Sequence, residues 1–220
     1  MSLSAETAPG RIPLTRERIL RAALEIIDQQ GADALSMRRL GAVLGVEAMS
    51  IYNHVPNKSA LIDGTLELLL SEIRLPDDPS DWQRGIKDMA HSYRELALRH
   101  PNAVPLMATR PFNTLASLGP VEVAFGMFKR AGFEGADAVH AFRTLTSFAI
   151  GYTLAETQGV FNQDASGEAL SMTDIPLEQF PNLIEFAPYF ESSDPNRGFD
   201  FAFEVMLTGL EAKLKEKETS

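Results

Sequence analysis

Apolar residues along this chain recur at spacings of three and four, and no stretch alternates apolar with polar over the length of a strand, so the pattern predicts helices throughout. Thr15 is placed to cap a first helix whose Ile19, Ala22, Ala23, Ile26 and Ile27 share one face, and Gly31 stops it. Ser36 caps a second, with Leu40, Val43 and Leu44 inward and Gly45 as its stop. A third runs from about Glu47 to His54 and breaks before Pro56, because the residue preceding a proline avoids helical geometry. Asn57 caps a fourth through KSALIDGTLELLLSEI, closed by Pro76. Beyond the turn-rich PDDPSD, helices are predicted near 82–99, 112–131, 135–158 and 195–217, with a long, partly mobile loop over 160–194 holding a short helix near 177–187. The expected fold is all-α, with a three-helix domain over 1–57, whose first ten residues form a disordered tail, and a helical domain over 58–220.

The second and third helices, joined at Gly45, have the spacing of a helix-turn-helix. Gly45 can take the left-handed turn that a β-carbon penalises, and Gly41 permits a close helix approach. Leu40, Leu44, Val46, Ile51 and Val55 form the inward side. Ala48, Met49, Ser50, Tyr52, Asn53 and His54 are left for the outward face and the ends. Such a helix fits a DNA major groove, where Asn53 can pair with an adenine edge and Ala48 or Met49 can touch a thymine methyl. Ser50 and Tyr52 can reach bases or phosphates. Ser36, Arg38 and Lys58 stand at helix N-termini, where backbone N–H groups and positive charge favour a phosphate oxygen. Tyr52 is either a contact or a staple of the small domain, and His54 either a contact or a packing residue.

Charge sharpens this picture. The formal net charge of −10 argues against nucleic acid until it is divided by region. Residues 11–60 hold Arg11, Arg16, Arg18, Arg21, Arg38, Arg39 and Lys58 against Glu17, Glu25, Asp28, Asp33 and Glu47, so a mildly basic head sits on an acidic body. That arrangement allows DNA contact at one end only. The absence of cysteine excludes disulfides, thiolate zinc sites and cysteine nucleophiles. The N-terminal MSLSAETAPGRIPL lacks the apolar core of a signal peptide, and the apolar stretch between Arg143 and Glu156 is too short to span a bilayer, which predicts a cytoplasmic protein without a membrane partner.

The stretch RERILRAALEIIDQQGADALSMRRLGAVLGVEAMSIYNHVPNKSALID resembles the DNA-binding head of the TetR family of bacterial transcriptional regulators, densely over about the first 65 residues. The rest is similar to the tetracycline-repressor type through Trp82 opening a helix, RHPN, TRP at 109–111 and FPNLIEFAPYF. The resemblance implies a homodimer whose heads enter successive major grooves of a palindromic operator in double-stranded DNA, with a ligand cavity in each body controlling their spacing. It puts base contacts on Ala48, Met49, Ser50, Tyr52 and Asn53, phosphate contacts on Ser36, Arg38, Tyr52 and Lys58, and a four-helix dimer bundle on 135–158 and 195–217. The tetracycline repressor has tryptophan where Asn53 stands, and glutamine and proline where Ala48 and Met49 stand, so its operator does not carry over. The resemblance places the ligand wall near Arg74, Met89, Tyr93, Met107, Thr109, Arg110, Phe148 and Tyr152. A magnesium-binding histidine of that type corresponds to Leu106 or Met107, so the expected effector is an apolar molecule with an anionic or carbonyl group held by Arg74 or Arg110, without magnesium.

The residues themselves support the dimer helices. Phe199, Phe203, Met206, Leu207, Leu210 and Leu214 form one stripe, and FRTLTSFAIGYTLA is apolar nearly all round, as a helix covered on all sides must be. No enzyme signature stands against this reading: the four histidines show no i, i+4 pairing, and G-x-S-x-G, G-x-G-x-x-G and P-loop motifs are absent. The sequence therefore predicts a DNA-binding repressor released by a small ligand, with no catalytic residue, metal or cofactor. A regulator without an effector, or an enzyme with scattered, unsignalled residues, is the alternative.

Overall fold

The computed structural model describes residues 13–110, 114–161, 176, 178–191 and 194–218. Among these there is no strand, and the chain divides between Leu68 and Leu69 into two compact units. The predicted tail, and residues 162–175, 177, 192 and 193 of the predicted 160–194 loop, lie outside the described residues.

In the first unit, α1 (Arg16–Gln30) packs against α2 (Met37–Leu44), and α2 against α3 (Ala48–Tyr52). Thr15 Oγ1 accepts the Arg18 amide, and Ser36 Oγ accepts the Arg39 amide, so two helix starts are closed by side chains three residues back. Gly45 turns the chain with φ 67°, in the left-handed region. A β-carbon on Gly41 would lie 2.7 Å from the Val46 carbonyl oxygen, so only glycine lets α2 pass this close to the turn. The buried face of α2 is Met37, Leu40, Gly41 and Leu44. Val43, placed inward by the sequence pattern, falls off that face and is exposed.

Helix α4 (Lys58–Leu70) begins with the Asn57 side chain accepting the Ala60 amide at 2.8 Å. It ends at Leu70, well short of Pro76. Leu61, Ile62 and Leu66 are buried, and Gly64 lies against Leu20 of α1, which is why most of α4 belongs to the first unit and the compact division falls after Leu68 rather than at residue 57.

The second unit is built on α5 (Trp82–Arg99), α7 (Leu115–Arg130) and α8 (Gly135–Thr157), which pack on one another, with α6 (Val104–Thr109) and α10 (Pro195–Glu218) also against α8. Helix α9 (Pro181–Glu191) precedes α10. Asp81 caps α5 through the Arg84 amide. Trp82 sets its ring edge-on to Phe133 at 5.3 Å between centroids, anchoring the start of α5 to the α7–α8 corner. Phe199, Phe203 and Leu207 of α10 are buried in this core, with Met206, Leu210 and Leu214 packed against it. The stripe read from the sequence as a dimer seam is therefore turned inward within the chain. The opposite face of α10 exposes Phe201 at 70% and Val205 at 56%.

Candidate functional site

Two places in the molecule are candidate recognition sites. In the first unit, Ile51 is fully buried and holds α3 by its inner side, as Val55 does just beyond it. This presents Met49, 70% exposed, together with exposed Tyr52, Asn53 and His54, while Ala48 and Ser50 are half-buried. Asn53 and His54 follow the last turn of α3, with the His54 amide donating to the Ile51 carbonyl. Ser36 and Arg38 are exposed at the start of α2 and Lys58 at the start of α4. Ser36 Oγ is occupied as an acceptor by the Arg39 amide, and its hydroxyl proton remains available to donate. All nine residues singled out in the sequence thus belong to this unit, at the surface or half-buried.

In the second unit a partly open pocket of about 110 Å³ lies between α5, α7, α8 and α10, with Leu70 and Ile73 also on its wall. Ile86, Met89 and Tyr93 come from α5, Pro120, Val121, Ala124 and Phe128 from α7, Phe142, Leu145 and Ala149 from α8, and Phe203 from α10. Of the eight wall residues implied by resemblance, Met89 and Tyr93 line it. The others are placed elsewhere. Arg74 is drawn outward by an exposed pair with Glu95 at 2.6 Å, and the Arg74 amide donates to Ser92 Oγ. Met107 is buried in α6, and Thr109 is exposed with its hydroxyl donating to the Pro105 carbonyl. Arg110 is half-buried just past α6. Phe148 and Tyr152 join Phe199 in an aromatic cluster, and the Tyr152 hydroxyl donates to the Pro195 carbonyl at 2.8 Å. Val121, Phe142 and Leu145, which also line the pocket, carry no sequence signal that separates a pocket wall from ordinary core.

Tyr93 is 8% exposed, and its hydroxyl is buried without a hydrogen-bond partner. Such a group costs about 1–3 kcal/mol when left unpaired. Burial pushes its ionisation up to about 12. The folded phenol therefore stays protonated where an unfolded tyrosine would ionise. Below the ordinary value of 10.0 this titration leaves stability unchanged, and stability falls as pH rises from there to about 12, because the unfolded chain gives up the proton first. Tyr93→Phe is expected to raise stability at neutral pH by about 1 kcal/mol. It should also flatten the alkaline loss by about 2 kcal/mol, read from urea unfolding of both proteins at pH 8 and pH 11.5. An alkaline limb unchanged by the substitution would mean that the phenol is not buried.

A helix-turn-helix with an exposed third helix, carried with a helical unit that holds an apolar pocket, has the architecture of a DNA-binding regulator. Residues 19–65 match the family model described as bacterial regulatory proteins, tetR family, and residues 75–214 that of the tetracyclin repressor-like C-terminal domain. The chain belongs to the TetR family. It is 30% identical to the class A tetracycline repressor protein from transposon 1721 of Escherichia coli over 87% of this chain and 88% of that one. It is 34% identical to an HTH-type transcriptional regulator of Saccharopolyspora erythraea over 90% and 85%. Among solved structures, apo ActR of Streptomyces coelicolor superposes with a TM-score of 0.80 at 30% identity, over 94% of this chain and 99% of that one, and ActR has also been solved in complex with actinorhodin. No helix among the described residues is long and apolar enough to cross a membrane.

Proposed function

We propose that the chain is a homodimeric repressor that binds a palindromic operator through Ala48, Met49, Ser50, Tyr52, Asn53 and His54, and is released when a small, largely apolar molecule fills the cavity of the second unit. The observation that carries the DNA reading is the division of α3 between a fully buried Ile51 and an exposed set of short polar and apolar side chains. Ser36, Arg38 and Lys58 add phosphate contacts at the starts of α2 and α4. The effector reading is supported by the apolar cavity and by the ligand complexes of ActR. Ligand and DNA then oppose each other by one coupling free energy, the same in both directions.

The dimer reading is supported by α10 exposing Phe201 and Val205, with Thr208, Gly209 and Ala212 on the same side, and by α8 exposing the small residues Thr144, Ser147 and Gly151. Small exposed residues let helices of two copies approach closely, and a two-fold axis joins the same patch on both.

Asn53→Ala is expected to relax discrimination at one base pair by about 1–3 kcal/mol, because a directional pair in the groove is lost. Lys58→Ala should weaken every sequence alike and lower the salt slope by about one. The operator is first selected from genomic fragments retained by the protein, then titrated at several salt concentrations. Wild-type behaviour in both variants would remove α3 and the start of α4 from the interface, and a protein that retained no DNA at low salt would favour an enzyme or adaptor.

A further inference from the structure

We infer that the cavity selects an uncharged ligand carrying a carbonyl acceptor on an apolar ring, and that the Tyr93 hydroxyl is the donor that receives it. This rests on the reading of the cavity as an effector site and says what that site discriminates. Three hydroxyl-bearing residues lie on its wall among the described residues: Tyr93, Ser117 and Thr146. Ser117 Oγ donates to the Thr114 carbonyl at 2.8 Å and Thr146 Oγ1 to the Phe142 carbonyl at 2.7 Å, so both protons are committed within their own helices. The Tyr93 hydroxyl is the one buried without a partner, and it opens almost no surface to the pocket, so an acceptor reaches it as the Tyr93 ring shifts toward the ligand. A ligand acceptor would satisfy a donor that folding leaves orphaned, and the free protein already bears the desolvation of that donor.

The rest of the wall decides the ligand's charge. No lysine, arginine or histidine lines the cavity among the described residues. Arg74 is paired outward with Glu95, and the deeply buried Arg94 is held by Glu156 and Asn196. A carboxylate entering here would lose its water and meet no counter-ion, a far larger penalty than a carbonyl suffers. Burial keeps the phenol protonated far above neutral pH, so it acts as a donor and does not become an anion that would attract a cation. The anionic alternative expected from Arg74 or Arg110 is thereby set aside in favour of the neutral one. Volume sets the scale: about 110 Å³ is somewhat less than the dry cavity of about 150 Å³ that takes benzene, so a single ring is the size that fits, and it enters as the wall shifts outward.

The test uses three single-ring probes of similar size on the full chain: acetophenone, benzoate and ethylbenzene, titrated by protein-observed NMR. In the wild-type protein acetophenone is expected to bind about tenfold tighter than ethylbenzene, the factor expected for one good hydrogen bond, and benzoate weakest. In Tyr93→Phe the acetophenone advantage should fall to within about twofold, while ethylbenzene is unchanged, which also verifies that the cavity is intact. Benzoate binding as tightly as acetophenone, or an acetophenone advantage that survives in Tyr93→Phe, would overturn the inference and leave the effector site standing. Failure of all three probes to bind would instead remove the cavity as a ligand site, and the inference with it. The wild-type ranking tests neutrality without relying on any variant.

Discussion

Arg94→Ala is expected to lower the stability of the second unit by about 3–5 kcal/mol, the cost of leaving a buried charge without its partner. The Arg94 side chain is 7% exposed and that of Glu156 11%. From α5, the guanidinium grips both carboxylate oxygens of Glu156 on α8, with Nε at 2.7 Å from one of them. It also donates to Asn196 Oδ1 at the start of α10 at 2.8 Å and lies 5.3 Å from the centre of the Phe199 ring. Truncation strands the Glu156 carboxylate in apolar surroundings and unties three helices at one point. The double replacement Arg94→Met with Glu156→Leu should recover most of the loss, since removing both charges leaves no unpaired ion. Urea unfolding of the two single variants and the double variant decides it. A cost for Arg94→Ala below about 1 kcal/mol would mean that water reaches the carboxylate and that packing alone joins these helices.

Phe201→Glu is expected to turn a dimer into a monomer. If α10 meets its counterpart along its exposed face, each interface takes the substitution twice by symmetry and must desolvate two carboxylates without partners. At several kcal/mol in total, the dissociation constant should rise by about a thousandfold or more. Sedimentation at micromolar concentration reads the change, and retained helicity shows that the chain still folds, as expected for a side chain 70% exposed within one copy. Val205→Glu should act in the same direction. A dimer indifferent to both would move the seam off this face of α10. Leu210 is the wrong probe, because it packs against the chain's own core and its replacement would confuse unfolding with dissociation.

That contrast marks where the sequence was legible. Helix starts could be read because Thr15, Ser36 and Asn57 act on amides three residues away, a chemistry contained in a few consecutive positions. Gly41 and Gly45 were legible for the same reason. The two faces of α10 were not: Phe199 and Phe203 stand on one, Phe201 and Val205 on the other, and periodicity cannot say which is covered by the chain itself. The cavity wall was hidden because Leu145 or Val121 reads the same in front of a void as in front of a neighbour. The Arg74 ion pair could not be read because its partner, Glu95, comes from a helix whose position only the fold supplies. The short α6, with Pro105 in its first turn, has too few residues to show a period.

The cavity also makes the molecule responsive to compression. Side chains that border a pocket lack part of the backing that close packing gives, so the helices around this pocket of about 110 Å³ yield to hydrostatic pressure before the rest of the second unit. A molecule that filled the pocket would supply that backing. An effector would thus be felt mechanically throughout the helices that border it, because a wall with something behind it can no longer yield.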